Sequence, residues 1–369
     1  MRERVSRRRP GKAHLATALL GRKIEPWAFP VIDQLIEELT DTHGTPPASP
    51  LFDARVVRST LSHARHVMMC SEDHGLALAH LATLLVPHVP ASTPHEVRRV
   101  LFLEAEAYRL YASALYRKKR VFEAKAAADT SRDRFKVPML RKVSGRYLEI
   151  LNLTAGQIAF ELGDTDLGLA IVSRAADRLH ITYGDRIRFL KGRQIVGTLL
   201  MKLQRWADAA DVFDEILEIA EETGNVELRT ALTQGVAICG KHLGEEHADR
   251  CHASAMKLVK ATGIGQDVAR SEWMLIIDLQ HNGKISEAIS EMYKLRQSYI
   301  DAGNELRAES AVTPTIVETL VSEGRLTEAR KLGEMALVPL AEAGLRIAET
   351  RIRNALKVAP PLGGATMKH

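Results

Sequence analysis

Glycine recurs at nearly constant intervals along this chain, and that periodicity limits the possible folds more than any other feature. Gly184, Gly224, Gly263, Gly303 and Gly344 are 40, 39, 40 and 41 residues apart, and each closes a long amphipathic stretch, the usual place of a left-handed helix C-cap. A second series, Gly163, Gln204, Gly244, Gly283 and Gly324, runs about midway between them at spacings of 41, 40, 39 and 41. These mark a turn inside each repeat. Most are followed by a phrase that ends in a small residue: Gly163-Asp-Thr-Asp-Leu-Gly168, Gln204-Arg-Trp-Ala-Asp-Ala209, Gly283-Lys-Ile-Ser-Glu-Ala288 and Gly324-Arg-Leu-Thr-Glu-Ala329. Lys119-Arg-Val-Phe-Glu-Ala124 carries the series one unit toward the N-terminus.

Between these marks apolar residues return at helical spacing, as in Val212, Phe213, Ile216, Leu217 and Ile219, or Leu326, Ala329, Leu332 and Ala336. Each repeat therefore reads as a helix-turn-helix pair. Helices of about 16 to 19 residues run roughly 25 to 29 Å at 1.5 Å per residue and need a neighbour to cover their apolar stripe. Stacked pairs supply it, so the expected fold is all-α, an α-α superhelix or solenoid of helix pairs. The core is aliphatic, because aromatic residues make up only 5% of the chain.

Small residues stand seven positions before the turn (Ala112, Gly156, Gly197, Ala237) and five after it (Ala124, Gly168, Ala209, Ala288, Ala329), while Tyr111, Val196, Leu275 and Ile316 are large. This pattern resembles that of tetratricopeptide (TPR) repeats, where small side chains let neighbouring helices approach and large ones fill the gaps. The resemblance covers residues 96–344, six units. It is degenerate: the period is near 40 where the common TPR has 34, most of the usual Trp and Pro positions are replaced, and Ala248 comes one residue early. The lengthened units are similar to those of bacterial TPR proteins found beside transcription regulators. HEAT-like repeats, of similar period, are the alternative.

The remaining segments are less regular. Residues 24–95 form an irregular helical region, with one helix over Trp27–Thr40, a Pro-rich linker from Asp41 to Pro50, and a pair over Asp53–Cys70 and Gly75–His88. Residues 345–358 read as a capping helix and 359–369 as a disordered tail. Pro314 falls within a first-helix slot, where an interior proline costs about 3 kcal/mol, so the pattern predicts a break, with Thr313 capping a shortened helix.

The net charge of +5 is concentrated at one end. Residues 1–23 carry eight basic side chains against the single acid Glu3, a local +7, so the other 346 residues sum to −2. The segment reads as a disordered basic tail, with nucleic acid as its possible partner. Arg22 and Lys23 directly follow the short apolar run, and no A-x-A-like cleavage site is present, which argues against export. Three scattered cysteines suit a reducing compartment, and no apolar run approaches the ~20 residues of a membrane span. The expectation is a cytoplasmic protein with no membrane partner, a monomer or a weak oligomer.

No Gly-rich phosphate loop, G-x-S-x-G or H-E-x-x-H is found, so neither catalytic residues nor a cofactor are assigned. Two His/Cys clusters bear on metal. Cys239, His242, His247 and Cys251 place two ligand types on each arm of a hairpin, but with no familiar zinc spacing; packing explains Cys239, and no metal is assigned. His63, His66, Cys70 and His74 would share a stripe only if one helix ran through Gly75.

The TPR resemblance implies that the first helices of the pairs line a concave groove that binds a peptide. Positions 13, 10, 6, 3 and 2 residues before each turn then face it. The partner-binding candidates are Arg109, Tyr116, Arg117, Gln157, Phe160, Gln194, Lys202, Gln234, Lys241, Arg270 and Trp273. With Lys191, six Lys/Arg stand against Glu106, Glu161 and Glu318 at these positions, a mildly basic set suited to an acidic segment. The arginines suit carboxylates, the glutamines a peptide backbone and the aromatics apolar anchors. The carboxylate clamp of chaperone-binding TPR domains, built on asparagines, does not match. The expected function is a non-catalytic scaffold or adaptor, with a nucleic-acid-linked regulator using the basic arm as the alternative.

Overall fold

A computed structural model of the chain describes residues 54–68, 72–244 and 265–358. The basic arm 1–23, the helix expected over Trp27–Thr40, the linker at 41–50 and the tail 359–369 lie outside the described residues. Among the described residues all regular structure is helical. The chain divides into two compact units, residues 1–117 with 123–151 and residues 118–122 with 152–369.

In the first unit, α1 (Ala54–Val67) and α2 (Glu72–Leu85) form the expected N-terminal pair and pack on α3 (Pro94–Arg117). Their shared core holds Val57, Leu61, Leu78, Ala82, Leu103 and Leu110. A capping box starts α3: the Glu96 amide donates to Thr93 Oγ1 at 3.2 Å, and the Thr93 amide donates to Glu96 Oε2 at 2.9 Å, with Pro94 entering the first turn. The second helix of this pair, α4 (Val121–Phe135), is tied to α3 by Ser131 Oγ, which donates to the Ala105 carbonyl at 2.8 Å.

In the second unit, α5 (Arg141–Glu161, its C-terminal half) pairs with α6 (Thr165–Ile181), and α7 (Arg186–Lys202) with α8 (Trp206–Glu222). There follow α9 (Val226–Leu243), α10 (Gly265–His281) with α11 (Ile285–Asp301), α12 (Thr313–Ser322) with α13 (Leu326–Ala343), and α14 (Arg346–Val358). Among the described residues, those that mark the repeats are the helix-ending residues, with φ between 59° and 101°; Gly263 lies outside the described residues. Most are glycine, but Lys119 (62°) and Gln204 (59°) hold the same left-handed conformation with a side chain.

Close approach at small residues sets the helix spacing. Phe213 of α8 lies between Gly197 of α7 and Gly235 of α9; a Cβ on either glycine would come within 2.6 or 2.7 Å of its ring. The turn at 118–122 meets the far end of the same unit, where Lys118 Nζ donates to Asn304 Oδ1 at 2.7 Å and Phe122 lies over Gly344.

One expectation is corrected. The chain does not break before Pro314, and Thr313 does not cap the helix. A helical turn at Glu305–Arg307 passes into a π segment, Ala308–Val312, that leads into α12. Thr313 is itself helical, at φ −55° and ψ −41°. The wider π turn absorbs the missing amide and eases the clash between the proline ring and the carbonyl four residues earlier. Thr313 Oγ1 donates to Glu309 Oε2 at 2.7 Å and accepts from Arg296 Nε at 3.1 Å, which fastens the segment to α11.

Two substitutions should shift stability in opposite directions. Gly235→Ala, which drives a methyl into the Phe213 ring, is expected to lower unfolding free energy by about 1–3 kcal/mol. Gln204→Gly, which relieves a left-handed side chain, is expected to raise it by about 0.5–1 kcal/mol. Urea unfolding followed by helical ellipticity measures both.

Candidate partner-binding face

The turn-anchored register sets side chains of successive first helices side by side in the second unit. Two residues before each turn stand Glu161 (α5), Lys202 (α7), His242 (α9) and His281 (α10); ten before stand Gln194 (α7), Gln234 (α9) and Trp273 (α10). The first row is stitched from helix to helix. Lys202 Nζ donates to Glu161 Oε1, and Lys119 Nζ lies 3.6 Å from the same oxygen. Lys202 also sits over the Phe160 ring at 6.0 Å. Further along, Lys241 Nζ pairs with Asp278 Oδ1 at 3.0 Å, and Gln280 Nε2 donates to Thr319 Oγ1 at 3.2 Å.

Electrostatics follow from this crowding. Burial pushes the Glu161 carboxyl up, but Lys202 and Lys119 outweigh it and hold it down at about 2. Burial, then repulsion from Lys202 and Arg307, brings the Lys119 ammonium down to about 8 against the pull of Glu161. His242 lies under Trp206, ring centroids 3.8 Å apart and planes within 9°, with His281 edge-on at 6.1 Å. That burial of one ring face, with His281 beside it, lowers the His242 pKa.

An apolar patch adjoins these rows. Ala237, Ile238 and Ile277 are buried beneath the partly open side chains of Met201, Trp206 and Trp273. Trp206 opens α8, a second helix of its pair, so a register drawn only on first helices passes over it. Its signal in the sequence is the phrase Gln204-Arg-Trp206 directly after a turn.

The sequence candidates have different fates. In the second unit Gln157, Gln194 and Trp273 are half-buried on α5, α7 and α10, and Lys202 and Lys241 are paired as described. Phe160 is fully buried, with its backbone and Cβ under Gly168, so it packs the helix pair and offers no anchor surface. Gln234 is 1% exposed. Arg270 falls on α10 with its side chain outside the described residues. In the first unit Tyr116 and Arg117 are half-buried at the end of α3. Arg109 is engaged bidentately by the buried Glu106, Nε to Oε1 at 2.7 Å and Nη2 to Oε2 at 3.1 Å, and Arg65 joins the same carboxylate. Arg109 is therefore an internal partner before it is a clamp for a ligand.

Cys239 is wholly buried beside Ala237 and Ile238, and His247 and Cys251 lie outside the described residues, as does Cys70. Among the described residues no three His, Cys, Asp or Glu converge as metal ligands, and no helix is long and apolar enough to cross a membrane.

Glu161→Gln leaves two ammonium groups facing a neutral amide and should cost about 3–5 kcal/mol at neutral pH. Because the folded carboxyl titrates at about 2 against an ordinary 4.5, the deficit relative to the parent should be complete above pH 4.5 and shrink as the pH falls toward 2. Lys119 gives a slope of the same sign at higher pH. The unfolded chain holds its proton up to 10.5 and the folded one only to about 8, so the parent should gain stability relative to Lys119→Met as the pH rises between them. Urea midpoints measured across pH test both.

No protein-family model matches the chain, and no curated protein matches it. Solved structures do. The Rap conjugation gene regulator of the plasmid pLS20, in complex with the Phr* peptide, aligns at 12% identity over 93% of this chain and 99% of that one, with a TM-score of 0.50. A Rap protein complexed with competence and sporulation factor aligns at 12% identity over 83% and 98%, TM-score 0.49. Aspartyl phosphate phosphatase F from Bacillus subtilis aligns at 14% identity over 98% and 97%, TM-score 0.47. At 12% identity the likeness to the pLS20 regulator is one of fold, and the fold of this chain is an all-α, TPR-like solenoid of helix pairs.

Proposed function

We propose that this protein is a non-catalytic cytoplasmic scaffold that holds a peptide segment of a partner against the first-helix face of its second unit. The observation that carries this reading is the partly open apolar patch of Met201, Trp206 and Trp273, set among polar rows at a fixed register. Large aromatic side chains over a buried apolar base suit the anchor residue of an extended segment, and flanking amides suit its backbone. The pLS20 regulator, which is similar in fold, is in complex with a peptide, and this supports a peptide as the ligand here.

Display of short random peptides against the full-length protein tests the reading. The expected result is enrichment of a common sequence whose synthetic form raises the unfolding free energy by about 2.7 kcal/mol at 100 times its Kd. Trp273→Ala should weaken that peptide by at least about tenfold, a loss of about 1.4 kcal/mol, with helix content unchanged. Failure to enrich any sequence would refute the proposal.

A further inference from the structure

Gln234 is the side chain on this face whose chemistry is incomplete. It is 1% exposed, and neither Nε2 nor Oε1 has a hydrogen-bond partner. Other orphaned atoms are of a lesser kind: Arg193 Nε is unpaired, but the same guanidinium reaches Glu215 through Nη2. In Gln234 a donor and an acceptor are orphaned together. A buried amide in that state bears its full desolvation penalty, and an apolar side chain of similar shape would avoid it. A leucine would suit the surroundings, because Ala237 and Ile238 lie one helical turn further along α9 and both are buried.

The charged groups nearby point to the kind of ligand. Lys202 is held by Glu161 and Lys241 by Asp278, so these two cations already have carboxylates of their own chain. An acidic ligand would have to compete with both. The Gln234 amide and the aromatic patch carry no such internal competitor, and Trp273 holds the same register one repeat on.

Resting on the peptide-binding reading above, we infer that the Gln234 carboxamide is the docking point for the backbone N–H and C=O of one residue of an uncharged, extended peptide segment, whose neighbouring apolar side chain enters the patch at Trp206 and Trp273. The glutamine Nε2 donates to the peptide carbonyl and its Oε1 accepts from the peptide N–H, so both orphaned atoms are satisfied at once. The segment must displace the side chains that cover Gln234 in the free protein. Specificity then resides in backbone geometry and apolar shape, with the lysines serving the fold.

The test uses full-length protein and two libraries of short peptides with acetylated and amidated ends, one without ionisable residues and one with a single Asp or Glu at a random position. The expected result is retention from the uncharged library, with N-methylation of one backbone amide of the best peptide weakening it by about tenfold. Gln234→Leu should weaken the unmodified peptide equally, abolish the N-methyl effect, and raise the urea midpoint of the free protein. Gln234→Met serves as a second variant with the same expectation. Preference for the acidic library, or unchanged affinity in both variants, would overturn the inference while leaving peptide binding intact. Retention from neither library would overturn both.

Discussion

The left-handed residue that ends α3 and every helix from α5 to α13 is the constraint on which the rest of this structure depends. A positive φ turns the chain back within two or three residues, so the next helix begins beside the last and its apolar stripe meets a partner at once. Because these residues recur every 20 residues or so, every first helix presents the same register to its neighbours. The close packing of Phe213 between Gly197 and Gly235 is a consequence: a large side chain on one second helix fills a notch made by small residues on the two first helices beside it. A change in turn spacing would move the notch off the ring and turn the ridge into a clash.

The same register brings charged groups into rows. Two ammonium groups and one carboxylate meet where Lys119, Glu161 and Lys202 converge, and a buried arrangement of this kind is worth less as stabilisation than as a fixed geometry. Lys119 is at once the left-handed residue of its turn and a member of that cluster. Its neighbour Lys118 bonds to Asn304, just before the helical turn that leads into the π segment, and residues 118–122, the link after α3 with the first two residues of α4, belong to the second unit.

Much of this was legible from residues alone, for reasons that can be named. Glycines at Gly184, Gly224 and Gly344 announce positive φ because side chains disfavour it, and Ala209 and Ala288, small residues at the repeat's fixed register, are both fully buried. The first-helix positions followed by arithmetic. The register did not reveal how deep each side chain would sit: Phe160 and Trp273 occupy equivalent kinds of position, yet one is sealed beneath Gly168 and the other partly open. Nor did it reveal pairing between helices about 40 residues apart, such as Lys202 with Glu161, because charge partners are chosen by side-chain reach across a packed interface. Pro314 shows a third limit. Its local preference is to start a helix, but packing on both sides keeps the chain helical through it, and the conflict is absorbed by one π turn.

The pairing of the lysines changes what kind of recognition this face can support. Had Lys202 and Lys241 been open, the face would attract acidic segments broadly, and salt would weaken the attraction. With Glu161 and Asp278 beside them, much of that long-range attraction is cancelled within the protein, and under the proposed function what would distinguish one segment from another is short-range: hydrogen-bond direction and apolar shape. Under that condition a buried unpaired amide discriminates more strongly than an exposed charge, because a ligand that fails to satisfy it leaves the desolvation penalty in place. The interior position of Gln234, costly to the free fold, is consistent with a surface selected for choosing among neutral segments over binding charged ones tightly.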